Sequence, residues 1–216
     1  MFHHWADAFA SDIEVRALQL PGRQERLHEG VLTSSMAAVE GIAAALQVLP
    51  PAPLVLYGHS YGAILAFELA RRLRATPCCP QALVLAARRA PQLARRGRSI
   101  AKLPDEEFKE MLYQEYGTPR SVIDNHQLME LALPALRADF HAVESYTYVP
   151  DAPLEIPILA LHGTQDTLVR KEEMAAWRDV CSGSFQLAEV KAGHFFIDTH
   201  REWVLAKVDS VLRSVR

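Results

Sequence analysis

The sequence predicts an α/β fold: a mostly parallel β-sheet with helices on both faces, in a single domain spanning residues 1–216. The chain of 216 residues has the length of one domain, and its 50% apolar and 23% charged residues are typical of a globular protein. Short apolar runs at Leu54–Tyr57 and Ala82–Ala87 are typical of strands buried on both faces, and the segment Tyr61–Arg74 between them has helical spacing. This order of strand, helix and strand favours right-handed βαβ units.

One strand and one helix are predicted before these βαβ units. Apolar and polar residues alternate over Ile13–Leu20, which predicts a half-buried strand that stops at Pro21 and Gly22. Met36–Leu49 has helical spacing and ends at Pro50, where a helix cannot continue.

After residue 104 the pattern changes. Helix formers dominate residues 104–148 and no apolar strand appears there, so we expect a helical insertion. The α/β pattern then returns with a strand at Ile156–Leu161, a helix at Lys171–Val180, a strand near Phe185–Val190 and a helix at Thr199–Val215.

Composition excludes several classes of function. A net charge of −3 offers no basic field for nucleic acid, and no apolar run approaches a membrane span. The N-terminus lacks the pattern of a signal peptide, so we expect a cytoplasmic location. Three cysteines cannot form a paired framework, and no Cys/His spacing resembles a metal site, so neither disulfides, nor a metal, nor a cofactor is expected. No pattern reports the oligomeric state; a monomer is expected.

One sequence motif indicates a catalytic serine. The pentapeptide Gly58–Gly62 matches G-x-S-x-G between a predicted strand and a predicted helix, where a strained turn lifts Ser60 to the edge of the sheet. We expect side chains larger than hydrogen at either glycine to collide with neighbouring elements. The backbone N–H of Tyr61, at the helix N-terminus, is the natural donor to an oxyanion. The plainer alternative is a serine that only caps the helix.

A serine nucleophile needs a base, and the base needs an orienting acid. His194 follows the last predicted strand and is the best candidate base. Asp166 follows the Ile156–Leu161 strand at the same edge of the sheet and is the favoured acid, with Asp198 as its rival. We expect His59 to face away from the serine and His162 to pack locally, both as structural residues.

These residues, together with several other segments, resemble the type II thioesterases of the α/β-hydrolase superfamily, which edit polyketide and nonribosomal peptide synthases. The segments that carry the resemblance cover nearly the whole chain: Phe2–Trp5, Leu18–Leu27, Gly58–Ala63, Leu133–Asp139, Trp177–Arg178 and Gly193–Phe196. The resemblance implies a Ser60, Asp166 and His194 triad and a lid formed by residues 104–148. It also implies hydrolysis of acyl thioesters on the phosphopantetheine arm of acyl or peptidyl carrier proteins.

The chain departs from this family at two places. Tyr61 stands where Met is commoner, which leaves the backbone N–H unchanged. The family also has a further strand and a "PYAGG"-like loop before the Phe2–Trp5 segment, and we expect both to be missing here. That loop resembles the one that supplies a second oxyanion N–H, so slow turnover is expected.

A further pattern concerns the partner. The segment Leu69–Pro104 contains nine Lys or Arg residues and no Asp or Glu. Five of its arginines are candidates for steering an acidic carrier domain, with a merely solvated surface as the alternative: Arg88, Arg89, Arg95, Arg96 and Arg98. Two other functions stay open, a carboxylesterase for small esters and a synthase-binding protein without catalysis.

Overall fold

A computed structural model describes Phe2 and residues 4–215. Its sheet has four parallel strands in the order β1-β2-β3-β4. The strands are β1 (Val55–His59), β2 (Ala82–Ala86), β3 (Ile158–Gly163) and β4 (Phe185–Val190). The helices are α1 (Ser35–Gln47), α2 (Tyr61–Leu73), α3 (Asp105–Gln114), α4 (Arg120–Ile123), α5 (His126–Ser145), α6 (Lys171–Ala175), α7 (Phe196–Thr199) and α8 (Arg201–Ser214).

The predicted α/β class is confirmed, and the apolar runs explain why. Every residue of β2 and β3 is buried, as expected for central parallel strands covered on both faces. Val84 of β2 pairs with Tyr57 of β1 on one side and with Leu159 of β3 on the other. The carboxyl ends of all four strands therefore lie along one edge of the sheet.

The strand predicted at Ile13–Leu20 is wrong, because the structure assigns no strand to these residues. Val15 packs against the apolar core, but Leu18 is 52% exposed. Alternation of apolar and polar residues reports which side chains are half-buried, whereas a strand also needs a neighbouring backbone in register. Between Ile13 and Leu20 some side chains are half-buried, as the alternation predicts, but the structure pairs no neighbouring strand with this segment.

The observed bounds of other elements differ from the predicted bounds by a few residues. β3 begins at Ile158 and not at Ile156, after Pro157, which has no N–H for a ladder. The predicted Lys171–Val180 helix divides into α6 and a 3₁₀ segment, Ala176–Val180. The predicted C-terminal helix begins only at Arg201, after the separate turn α7.

The chain forms two compact units. The sheet unit comprises Met1–Leu18, Val39–Leu93 and Val149–Arg216, and the helical unit comprises Gln19–Ala38 and Ala94–Tyr148. In the sheet unit, an apolar core that includes Leu161 and the fully buried Phe196 packs against the sheet.

The helical unit has an apolar cluster of its own and contains the helices expected in residues 104–148. Phe108 is fully buried, and its ring lies 5.4 Å from that of Phe140, edge to face. Glu144, near the end of α5, accepts hydrogen bonds from the Ser99 hydroxyl and from the Ile100 N–H. Residues distant in sequence are thereby held together within this unit.

Across Phe2 and residues 4–215, no helix is long and apolar enough to span a membrane. The same residues include no group of three or more His, Cys, Asp or Glu side chains that could hold a metal ion. The three cysteines Cys78, Cys79 and Cys181 are free thiols.

Candidate active site

Ser60 occupies the sharp turn that joins β1 to α2. Its backbone has φ 53° and ψ −114°, and a positive φ is rare for a residue with a side chain. Its N–H donates a hydrogen bond to the carbonyl of Ala86, at the end of β2, over 2.9 Å. The turn is therefore anchored to the neighbouring strand, and Ser60 sits at the carboxyl edge of the sheet.

The two glycines of the motif differ in what they do. A Cβ at Gly58 would lie 2.2 Å from the carbonyl oxygen of Gly62, so the turn requires glycine there. A Cβ at Gly62 would meet nothing within 4 Å. The predicted collision is therefore right for Gly58 and wrong for Gly62. The backbone of the turn folds back over Gly58 only.

The predicted base lies between the predicted nucleophile and the predicted acid. His194 Nε2 is 3.1 Å from Ser60 Oγ, and His194 Nδ1 is 2.8 Å from Asp166 Oδ2. The side chains of His194 and Asp166 are 8% and 0% exposed. Because an ionised carboxylate only accepts hydrogen bonds, Nδ1 of His194 must carry the proton, which leaves Nε2 free to accept one from the serine.

Gly163 explains how these loops approach each other. It is the last residue of β3, three residues before Asp166, and a Cβ there would lie 2.5 Å from the carbonyl oxygen of Ala192. Ala192 precedes His194 in the loop after β4. The bare backbone of Gly163 therefore allows the loop that carries His194 to lie against the loop that carries Asp166.

Asp166 is held as an anion. Burial alone would raise its pKa, but the hydrogen bond and charge of His194 lower it, as do hydrogen bonds from the N–H groups of Leu168 and Val169 to Oδ1. The net effect places the pKa of Asp166 below its usual value. The rival Asp198 lies exposed in the first turn of α7.

This arrangement can perform nucleophilic chemistry. An imidazole between a carboxylate and a hydroxyl can take the hydroxyl proton, and the carboxylate stabilises the imidazolium that forms. Tyr61 is the first residue of the thirteen-residue helix α2, so its backbone N–H lies at the positive end of that helix. Negative charge that develops next to Ser60 is favoured there.

The two histidines expected to be structural lie in different surroundings. His162 is 4% exposed, with Nδ1 3.2 Å from Glu189 and Nε2 3.2 Å from the carbonyl oxygen of Val169, which agrees with local packing. The ring of His59, expected to face away from the serine, lies 5.5 Å from the ring of His194. The signal in the sequence was that His59 directly precedes Ser60.

Phe195 and Gly163 are two further neighbours of the site that were not predicted from the sequence. The ring of Phe195 is 5.0 Å from that of His194, and the residue is 36% exposed. Its position next to His194 in the chain was the only available signal. For Gly163 no signal was available, because the close approach involves a loop thirty residues later.

Among the candidate docking residues, Arg88 and Arg89 are partly buried in the sheet unit. The Arg89 guanidinium lies 3.2 Å from the carboxylate of Glu173, and the carbonyl of Arg88 accepts a hydrogen bond from the indole N–H of Trp177. Both residues therefore have internal structural contacts.

The other three, Arg95, Arg96 and Arg98, are exposed in the helical unit. Arg95 donates to the carbonyl of Arg98 over 2.8 Å and lies 3.5 Å from Glu144. Arg98 also donates to the sulfur of Met111 over 2.9 Å. Because they are exposed, Arg95, Arg96 and Arg98 stay candidates for carrier docking.

The parallel sheet, its helices and the serine at a strand-to-helix turn define a protein of the α/β-hydrolase class. Its residues 1–212 match the thioesterase domain family. The gramicidin S biosynthesis protein GrsT of Aneurinibacillus migulanus is 38% identical over 197 residues, which cover 91% of this chain and 77% of that protein.

Solved structures agree with this match. The type II thioesterase BorB from the borrelidin biosynthetic cluster is 36% identical with a TM-score of 0.88, and the match covers 98% of this chain and 85% of that one. The thioesterase RedJ from the prodiginine pathway of Streptomyces coelicolor is 31% identical with a TM-score of 0.89, covering 97% and 79%. The chain belongs to the thioesterase family, and within it to the type II thioesterases of polyketide and nonribosomal peptide pathways.

Proposed function

We propose that this thioesterase hydrolyses acyl groups from the phosphopantetheine arm of acyl or peptidyl carrier proteins, and so clears stalled or mis-primed synthase modules. One observation carries the proposal: the imidazole of His194 lies within hydrogen-bonding distance of both Ser60 Oγ and Asp166 Oδ2. A base already oriented against a hydroxyl is what acyl transfer from a thioester requires.

Acylation is the first half of the proposed reaction. Ser60 Oγ attacks the thioester carbonyl carbon while His194 Nε2 takes the hydroxyl proton, and Asp166 stabilises the imidazolium. The oxyanion faces the N–H of Tyr61. The carbon–sulfur bond then breaks, and His194 returns the proton to the departing phosphopantetheine sulfur.

Deacylation completes the cycle. A water molecule gives a proton to His194 and attacks the ester carbonyl of acyl-Ser60. The carbon–oxygen bond to Ser60 breaks, the proton passes from His194 to the serine oxygen, and the free carboxylic acid leaves. In this proposal residues 104–148 act as the lid over the acyl group, as the family resemblance implies, within one domain that spans residues 1–216. A cytoplasmic location stays a prediction.

The test is intact-mass spectrometry of acyl-carrier proteins before and after incubation with the enzyme, beside hydrolysis of a simple aryl ester. We expect kcat/KM for the carrier-bound thioester to exceed that for the aryl ester. The Ser60→Ala variant should fold and lose nearly all hydrolysis, as removal of a triad nucleophile costs many orders of magnitude, roughly 10⁶-fold in kcat.

The remaining outcomes separate the alternatives. Faster turnover of the aryl ester would favour a small-ester carboxylesterase. Binding of the carrier with no turnover of either substrate would favour a non-catalytic synthase-binding protein. Hydrolysis by the Ser60→Ala variant at more than about a tenth of the parent rate would contradict the role of Ser60.

A further inference from the structure

We propose that His59 is a positioning residue for His194, whose buried ring holds the His194 imidazole in the orientation that faces Ser60. The inference rests on the proposed function, since it assigns His194 the part of the base. His59 directly precedes Ser60 in the chain and takes no part in the proposed reaction steps.

His59 contacts both the apolar core of the sheet unit and the imidazole of His194. His59 is the last residue of β1 and only 9% exposed. Its ring lies 5.2 Å from the ring of Phe196, which is fully buried, and 5.5 Å from the ring of His194, with interplanar angles of 69° and 71°. A close-packed core resists displacement, so the His59 ring is a fixed surface for the imidazole to rest against.

A second aromatic neighbour restricts His194 further. The ring of Phe195 is 5.0 Å from that of His194 at 83°, and it lies nearly parallel to the ring of His59 at 6.2 Å. A rotation of the imidazole towards either ring would have to displace that ring, so His59 and Phe195 restrict its movement. Such a rotation would lengthen the 3.1 Å contact from Nε2 to Ser60 Oγ, and a misplacement of about 1 Å can cost as much as 10²-fold in rate.

The ring of His59, and not its nitrogens, carries this role. Both nitrogens are buried, and neither makes a hydrogen bond of normal geometry with any residue that the structure describes. A relay of protons would need a well-formed hydrogen bond at each nitrogen, so this geometry argues against a relay through His59. A phenylalanine would offer the same flat surface without nitrogens.

His59 is also neutral at working pH. Burial and the neighbouring charge of His194 lower the pKa of His59 to about 3, against smaller opposing effects of the Asp166 charge and the His194 backbone. When His194 becomes an imidazolium during the reaction, the ring beside it therefore adds no repelling charge.

The experiment compares His59→Ala with His59→Phe in the full chain. For each variant we measure kcat and KM on a carrier-bound acyl thioester, the rate at which a fluorophosphonate labels Ser60, and Tm. We expect His59→Ala to lower both kcat and the labelling rate by about 10- to 100-fold, with KM changed less than about twofold, since geometry and not binding is lost. His59→Phe should recover at least about half of the wild-type labelling rate, because it restores the flat surface.

The control is Val208→Ala, which removes core packing in α8 from a residue that is 6% exposed. It should lower Tm and leave kcat and labelling unchanged. If His59→Ala labels at the wild-type rate, or if His59→Phe is as slow as His59→Ala, the proposal is overturned. Should the alanine variant not fold, His59→Leu replaces it, and equal labelling of the Leu and Phe variants would overturn the proposal as well.

Labelling of Ser60 also separates this inference from the proposed function. If the wild-type protein hydrolyses no thioester, the proposed function fails, whereas the labelling rates of the variants still report how well His194 is held against Ser60.

Discussion

The guanidinium of Arg23 makes two hydrogen bonds to the carboxylate of Asp139, 116 residues further along the chain, at 2.8 and 2.9 Å. Arg23 lies in the turn after Gly22, and Asp139 lies in α5, so the pair fastens the beginning of the helical unit to its longest helix. The side chains are 31% and 21% exposed, and such paired, two-bond contacts are stronger than a single exposed ion pair.

The first prediction follows from this contact. Asp139→Ala should lower the free energy of unfolding by about 1–3 kcal/mol, because it removes two charge-assisted hydrogen bonds from a partly buried arginine. Urea unfolding measures it. The matched control is Glu14→Ala, which breaks the exposed pair with Arg16 and should cost clearly less, because solvent screens an exposed pair. Equal losses in the two variants would show that the Arg23 pair has no special strength.

The second prediction concerns Gly163. Gly163→Ala should lower kcat by about 10-fold or more, because its Cβ would collide with the Ala192 carbonyl and displace the loop that carries His194. Steady-state kinetics on an acyl thioester measures this. Gly41→Ala is the control, since a Cβ at Gly41 meets nothing within 4 Å and alanine favours the helix. That variant should keep full activity and gain about 0.5–1 kcal/mol.

The third prediction distinguishes the two acidic residues near His194. Asp166→Asn should lower kcat by roughly 10⁴-fold, because an amide opposite Nδ1 no longer fixes the tautomer of the imidazole. Asp198→Asn should stay close to the wild-type rate, since Asp198 is exposed in α7. Thioester hydrolysis by both variants measures the difference, and the reverse result would make Asp198 the acid.

The fourth prediction is a pH dependence of stability caused by His59. Its pKa is about 3 in the folded protein, so below the ordinary histidine pKa of about 6.5 only the unfolded chain takes up this proton. The free energy of unfolding should therefore fall as pH drops from about 6.5 towards 3, by up to about 1.4 kcal/mol per pH unit.

The substitution His59→Phe removes this titrating group from both the folded and the unfolded protein. Urea unfolding of both proteins at pH 7.5, 6, 5 and 4 should show a difference that is constant above pH 7 and shifts in favour of the variant below about 6.5. The lowered pKa of Asp166 also reduces stability in acid, but it acts in both proteins and cancels. Parallel curves over the whole range would contradict a buried neutral His59.

The fifth prediction tests carrier docking by exposed arginines. Reversal of charge at Arg96 and Arg98 should slow turnover of an acidic carrier-bound thioester and flatten its dependence on salt, because complementary charge acts chiefly on the association rate. Turnover of a small free thioester should not change. The control reverses Arg16, an exposed arginine outside the basic segment. Equal losses on both substrates would indicate misfolding.

Much of the fold could be predicted because its signals are local. The continuous apolar run of Ala82–Ala86 and the turn residues beside it give β2 within one residue, since a strand covered on both faces has no polar position. The G-x-S-x-G pattern placed Ser60 at a turn from strand to helix. The positions of Asp166 and His194 after parallel strands indicated a shared edge of the sheet.

The sequence by itself therefore determined the α/β class, the order of most elements and the three residues at the carboxyl edge. Only the tertiary structure decided that Ile13–Leu20 forms no strand, that Gly163 and not Gly62 allows a close approach, that Arg23 pairs with Asp139, and that His59 rests against His194. Each of these depends on which distant segment lies opposite a residue. Periodicity reports the environment of a side chain, but the identity of its neighbour is fixed only when the whole chain packs.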